Sequence, residues 1–428
     1  MTKIPFGPSF YLDTEKCIGC GSCVRACQKQ CVNHLALKKE GEKNKVVPLP
    51  NVCVYCGMCL LSCPVKAFSD LNSFIEIEKV IADKSKTVVC QIAPAVRTTI
   101  GEAFNLPPGT NATARLVAAL KKLGFKHVFD TSLGADFTSV EEAKEALKRI
   151  KTNKNLPIFT SCCPAWVEFV LKFYPQYKEN ISSVRSPQAI LGGLIKFYWA
   201  KKENLNPKEV ITVSIMPCVA KKYEITLDKL KIQGINPIDY VFTTREIIQF
   251  LKNNQIDLAK ISPDPLTDEW LLPSGAGIIY GATGGVSRSA LRTAFHLETG
   301  KNINQLKFSS AKDELGIERI TVDLIGQKMA IALADGLNEF KVILDDMTKN
   351  PKTYVCVEVM ACPGGCIGGG GQPYPVSKEL KEKRAQGLFN IDKTKKIRCS
   401  IQNPVVKKIY KEFLNSEEII NQICHTDH

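Results

Sequence analysis

The chain has 428 residues, is 44% hydrophobic and 23% charged, and carries 18 cysteines and a formal net charge of +14. This is globular composition at a length that suits two or three domains, which excludes a disordered chain. No stretch approaches the ~18 uncharged apolar residues of a membrane span. The start, MTKIPFGPSF, has no apolar region of the secretory kind, so a cytoplasmic protein is expected. Cysteine density in a long chain without a signal points to metal ligation rather than disulfides.

Residues 1–82 hold Cys17, Cys20, Cys23 and Cys27, then Cys53, Cys56, Cys59 and Cys63. Both runs read C-x2-C-x2-C-x3-C, an internal repeat. The connector LALKKEGEKNKVVPLP has hairpin character. Residues 83–428 form a second domain, in which apolar strand-like runs alternate with helical patterns. TVVCQIAPAV reads as a strand, ATARLVAALKKLGF as a helix, KHVFDTS as a strand and SVEEAKEALKRIK as a helix. LPIFTSCC then reads as a strand and AWVEFVLKFY as a helix. EVITVSIMPC, GAGIIYGATGG and TYVCVEVMACPGG are expected to be strands running into loops. The alternation predicts an α/β fold with parallel strands, its unusual residues at strand ends. NPVVKKIYKEFLNSEEIINQICHTDH is expected to be an amphipathic helix and a tail packed on the body.

Three thiolates on one short loop suit three corners of a cubane, and the fourth cysteine points at the neighbouring cluster. Cys17, Cys20 and Cys23 with Cys63 are therefore expected to hold one [4Fe–4S] cluster, and Cys53, Cys56 and Cys59 with Cys27 a second. Pro64 completes the pattern after Cys63, whereas Gln28 follows Cys27. Zinc sites use two separated C-x2-C pairs and fit poorly. The domain resembles a bacterial two-cluster ferredoxin, so electrons are expected to move through it.

Three further loops carry cysteines: TSCCPAW (160–166), MPCVAKKYE (216–224) and EVMACPGGCIGGGGQP (358–373). Adjacent Cys162 and Cys163 cannot easily share a cluster face and are expected to have different roles. The glycines after Cys366 suit close approach of backbone to a bulky inorganic group. Four thiolates from three strand-end loops could hold one more cubane.

In these loops the sequence resembles the [FeFe] hydrogenases over about residues 90–425. The resemblance implies an H-cluster: a cubane on Cys163, Cys218, Cys362 and Cys366, joined through Cys366 to a two-iron unit with CO, cyanide and a bridging dithiolate. It implies reversible reduction of protons to H2 and maturation proteins that build the two-iron unit. Lys221 would donate to a cyanide, with Pro94 and Gln188 nearby. Met216, Met360, Ala93 and Pro187 would wall the unit. Cys162 would be the first proton relay, followed by Glu145, Ser182 and Glu142, with Arg149 at the mouth. Glu142, Glu145 and Arg149 share one helical face, although E-x-x-E-x-x-x-R alone is more often a solvated one.

The sequence departs from the family's common pattern at Ala95, Ala165, Tyr280 and Ser287-Arg288-Ser289. Cys31, Cys90, Cys356, Cys399 and Cys424 are expected to be buried apolar residues. Glu224 reads as the ion-pair partner of a lysine, His425 and His428 as parts of a packed tail, and the tryptophans as packing. Three cubanes at roughly −2 each would bring the net charge to about +8, which favours an acidic, ferredoxin-like carrier. Neither nucleic acid nor membrane insertion is indicated. A hydrogen sensor and a non-catalytic iron–sulfur assembly factor are the alternatives that share the pattern.

Overall fold

The computed structural model describes residues 3–41, 43–50, 52–301, 303–306, 308–324, 326–350 and 353–428. Strands β1 (Lys3–Phe6) and β2 (Phe10–Asp13) precede β3 (Leu35–Glu40) and β4 (Lys43–Pro48), with β5 (Phe68–Asp70) closing the N-terminal region. β1, β2 and β5 make an antiparallel sheet, and β3 pairs with β4 as the hairpin read from the Lys/Glu-rich connector. Each cysteine run ends in a short helix, Ser22–Lys29 or Met58–Ser62. Each helix is entered through a left-handed glycine, Gly21 at φ 74° or Gly57 at φ 75°, a turn that other residues resist.

The remaining strands are β6 (Thr87–Ile92), β7 (His127–Asp130), β8 (Ile158–Phe159), β9 (Val210–Met216), β10 (Tyr240–Thr243), β11 (Phe308–Lys312), β12 (Glu318–Leu324), β13 (Gln327–Asp335) and β14 (Cys356–Met360). They build two sheets. One has the order β10-β9-β6-β7 and is parallel throughout. The other has the order β11-β12-β13-β14-β8 and is mixed: antiparallel from β11 to β13, parallel from β13 to β8. The expected parallel α/β arrangement thus holds for the first sheet and for half of the second.

Two sequence readings are corrected. GAGIIYGATGG is not a strand: Gly275–Ile278 is helical, and a 3-10 turn follows at Ile279–Gly281. Ser274 caps that helix by accepting from the Gly277 N–H. The glycines let it lie against its neighbours, since a Cβ on Gly277 would fall 2.1 Å from the Ser132 carbonyl oxygen. A short apolar run bounded by glycine has no periodicity to separate buried helix from strand. The C-terminal segment is two helices, Pro404–Glu412 and Glu417–Cys424, capped by Asn403 and Ser416. Val406, Ile409, Ile423 and Cys424 pack them into the body.

The two sequence domains share a core. Phe6, Phe10, Leu60 and Phe68 belong to one apolar cluster with Trp166, Phe169, Phe340 and Val357. The helix Phe74–Ala82 sends Ile77 into the core around β6, and its Phe74 ring meets those of Phe242 and Phe250. All three tryptophans are buried, as expected of packing residues.

Candidate functional site: thiol clusters at the strand ends

In the N-terminal region the fourth cysteine of each run reaches the other run. Burial pushes the Cys23 thiol up to about 11, and the neighbouring sulfurs of Cys17 and Cys63 add to it. Burial likewise raises Cys53 to about 11, and the Cys27 sulfur adds to it. Cys59 is raised by burial and then by Cys56, Cys53 and Cys27. The fold thus brings Cys63 beside Cys17 and Cys23, and Cys27 beside Cys53, Cys56 and Cys59. Backbone N–H groups already face these sulfurs: His34 N to Cys27 Sγ at 3.1 Å, Ala67 N to Cys63 Sγ at 3.2 Å and Tyr55 N to Cys53 Sγ at 3.4 Å. Such donors steady an anionic sulfur and tune what it binds. Cys20 alone is exposed.

The second constellation forms where parallel strands from both sheets end. β8 leads to Cys162 and to Cys163, the residue before the helix Pro164–Phe173. β9 ends at Met216, two residues before Cys218, and β14 at Met360, two before Cys362. Between them lies a cavity of about 70 Å³. Cys162, Cys163, Cys218 and Cys366 line it. So do Ala93, Pro94, Pro187, Gln188, Met216 and Met360, the residues the resemblance assigns to its walls, and Lys221 and Tyr280. Cys362 sits behind this wall, where burial and the thiols of Cys218, Cys163, Cys56 and Cys366 all raise it. Burial raises Cys218 to about 12, with Cys163 adding to it.

The glycine run makes room for neighbouring backbone. A Cβ on Gly370 would lie 2.4 Å from the Cys56 carbonyl oxygen, and one on Gly369 2.3 Å from that of Pro217. These glycines admit neighbouring backbone, bringing the Cys56 loop beside the catalytic one. The Cys362 Sγ is 3.8 Å from the Cys56 carbonyl oxygen.

Lys221 is buried and pairs with Glu224 at 2.9 and 3.0 Å, and its Nζ also donates to the Cys162 carbonyl at 3.2 Å. Burial opposes the ammonium, but Glu224, with Cys218 and Cys162 adding to it, raises the pKa on balance. Gln188 donates to Glu224 at 2.8 Å, which leaves its Oε1 buried without a partner.

The two relay carboxylates stand in the reverse of the expected order. Glu142 is the one beside Cys162, whose thiol it helps raise after burial. Burial, then Glu145 and Glu358, push Glu142 up to about 8. Glu145 lies outside it, accepting from Ser182 Oγ at 2.7 Å and from Arg149 at 2.6 Å. Both carboxylates share a helical face, so spacing could not tell which was deeper. His428 was read only as tail, yet its Nε2 is 2.8 Å from the Ser182 carbonyl oxygen. Burial and Lys229 lower it to about 4. Cys90, Cys399 and Cys424 are fully buried as expected, whereas Cys31 and Cys356 are only half-buried.

The donor chemistry fits iron–sulfur clusters. Buried thiols that repel one another as thiolates need a multivalent cationic centre between them, and polarizable methionine with apolar walls keeps water away. Fold and site together define an iron–sulfur redox enzyme. Residues 86–370 match the family described as "Iron only hydrogenase large subunit, C-terminal domain", residues 378–428 "Iron hydrogenase small subunit" and residues 16–67 "4Fe-4S dicluster domain". The chain belongs to the iron-only hydrogenases. Iron hydrogenase 1 of Clostridium pasteurianum is 38% identical, over 97% of this chain and 75% of that one. The periplasmic [Fe] hydrogenase large subunit of Nitratidesulfovibrio vulgaris is 40% identical, over 85% and 86%. A solved [FeFe]-hydrogenase captured in stepwise H-cluster assembly superposes with a TM-score of 0.73 at 34% identity, over 83% of this chain and 99% of that one. The chain is thus a hydrogenase catalysing 2H+ + 2e− ⇌ H2, with two [4Fe–4S] clusters in its dicluster segment and an H-cluster in its catalytic domain.

Proposed function

We propose that Cys163, Cys218, Cys362 and Cys366 hold the active-site cubane, that Cys366 is shared with the two-iron unit, and that protons travel by Cys162, Glu142, Ser182 and Glu145 to Arg149. The observation that carries this reading is the convergence of three strand-end loops on one apolar cavity, with Cys162 facing Glu142. When bound, the two-iron unit supplies a Lewis-acidic metal beside a base, the pair that heterolytic H2 chemistry needs. Cys162 accepts or returns the proton at its sulfur, and Glu142 takes it up in a site that favours the neutral carboxyl. Ser182 connects the two carboxylates, since a hydroxyl both donates and accepts. Lys221 is held by Glu224, to which Gln188 also donates, and faces the cavity as a charge-assisted donor for an anionic ligand.

Electrons pass to the Cys53 cluster, which the Gly370 contact sets against the Cys362 loop, and then to the cluster on Cys17, Cys20, Cys23 and Cys63, whose Cys20 is exposed. The external carrier is an acidic, ferredoxin-like protein, favoured by the positive net charge. A cytoplasmic setting, whose reducing conditions suit cysteines committed to iron–sulfur clusters rather than disulfides, is part of this reading. No helix among the described residues is long and apolar enough to cross a membrane.

Infrared spectroscopy of anaerobically matured protein tests the assignment. CO and cyanide bands together with H2 turnover are expected, and they should be lost from Cys366→Ala. Cubanes without those bands after full maturation would indicate an assembly factor; bands without turnover would indicate a sensor.

A further inference from the structure

Tyr280, flagged in the sequence only as a departure from the common pattern, occupies a connected position. It closes the 3-10 turn over the cavity, is 5% exposed, and packs with Ala135, Val286 and Met360 around Cys162. Its hydroxyl donates to Glu142 Oε2 at 3.4 Å and lies 2.9 Å from Ser139 Oγ. Ser139 is one turn before Glu142 on the same helix. Its Oγ also reaches the Ala135 carbonyl at 2.9 Å and Ser289 Oγ at 2.5 Å. Ser289 is fully buried, so this branch ends inside the protein and is no second route to solvent.

We propose that Tyr280 is a positioning residue of the relay, holding Glu142 by Oε2 in both its ionised and its protonated state. The inference rests on the relay order given above. A carboxylate only accepts, and the Tyr280 hydroxyl then donates to it. Once Oε1 carries the proton, Oε2 is the carbonyl oxygen of a neutral carboxyl and the Tyr280 hydroxyl still donates to it. No proton leaves through the branch, and Oε2 is not orphaned in either state. Oε1 has no partner and is left as the oxygen that exchanges with the relay. Glu142 and Ser182 line the same small apolar cavity. The other titratable groups facing Glu142 are Glu145 on its own helix, Cys356 and Glu358 on β14, and Cys162. Tyr280 alone among these meets Glu142 with a neutral hydroxyl.

The test is Tyr280→Phe in the matured holoenzyme, with the Glu142 carboxyl C=O stretch identified by infrared subtraction against Glu142→Gln. The band should move to the position of a more weakly hydrogen-bonded carboxyl, in cubane-only protein as well as in loaded enzyme. Turnover per assembled two-iron unit should fall several-fold, and its pH profile should move to higher pH, because a donor to the ionised form has gone. Ser139→Ala keeps the Tyr280 hydroxyl and removes its anchor, so a smaller movement in the same direction is expected. An unmoved band and pH profile in assembled Tyr280→Phe would overturn the proposal. Should that variant fail to assemble, an unmoved band in Ser139→Ala would overturn it equally. Normal turnover in Glu142→Gln would sink the relay order instead, while the band would still report whether Tyr280 holds the carboxyl.

Discussion

At the scale of single residues, the proposed relay sets two glutamates three positions apart in unlike surroundings. Glu142 is buried and held neutral to about pH 8 by burial and by the like charges of Glu145 and Glu358. Glu145 is tied to Arg149 and Ser182. Cys162→Ala should leave the clusters assembled and nearly abolish turnover per two-iron unit, since a methyl neither donates nor accepts; near-normal turnover would remove Cys162 from the route. Glu142→Gln and Glu145→Gln should be comparably damaging, because an amide cannot pass on a net proton. Glu142 also links pH to stability. Its folded pKa of about 8 lies above the ordinary 4.5, so the folded state binds the extra proton. Stability is fully present below about pH 4.5 and is lost as pH rises through 8, by roughly several kcal/mol at most. In cubane-only protein Tm should therefore fall more steeply over that window in the parent than in Glu142→Gln; parallel curves would contradict the buried, neutral Glu142. The dicluster segment was legible because the spacing of its cysteine runs is itself the chemistry. The order of the two glutamates was not, because depth along a shared helical face is set by what packs there, here β14 and Tyr280.

At the scale of elements, the helix Thr131–Thr152 carries both glutamates, and its start is fixed by one side chain. Asp130 accepts from the Ser132 N–H as N-cap and pairs with buried Arg97 at 2.6 Å. Arg97 also donates to Ser132 Oγ at 2.8 Å. Asp130→Ala removes a cap, about 1 kcal/mol, and strands a buried guanidinium, roughly 3–5 kcal/mol. Thermal denaturation should show a large loss for Asp130→Ala and a smaller one for Asp130→Asn, which keeps the cap; equal losses would mean that the ion pair contributes little. Helices with clear apolar faces, such as Thr113–Lys122 and Pro164–Phe173, were legible from pattern alone. GAGIIYGATGG was not, because glycine there serves contacts with Ser132 and Asp392 that no local sequence records. β8 shrank to two residues for a similar reason: after Phe159 the chain leaves the sheet to present Cys162 and Cys163 to the cavity.

At the scale of the whole molecule, the ferredoxin-like region is built into the catalytic body. Beyond the shared core, Arg245 pairs with Asp70 of β5 at 2.9 and 3.0 Å and donates to the Gly370 and Gln372 carbonyls at 2.8 and 2.7 Å. Lys222 joins Glu246 at 2.6 Å and also reaches the Leu71 carbonyl. A sequence repeat showed that two electron-transfer clusters exist; it could not show how closely one of them meets the catalytic cubane. That approach depends on Gly370, whose missing side chain makes room for the Cys56 carbonyl and for Gly57. Gly370→Ala would place a methyl where backbone now lies, and backbone on both sides must give way. Electron tunnelling falls steeply with distance, so separating these loops should slow transfer between the cubane and the Cys53 cluster. The expected outcome is full iron content, persisting CO and cyanide bands, carrier-coupled turnover reduced at least several-fold, and weaker magnetic coupling between the two clusters by electron paramagnetic resonance. Turnover and coupling equal to the parent's, with both clusters assembled, would show that electrons reach the active site by another approach.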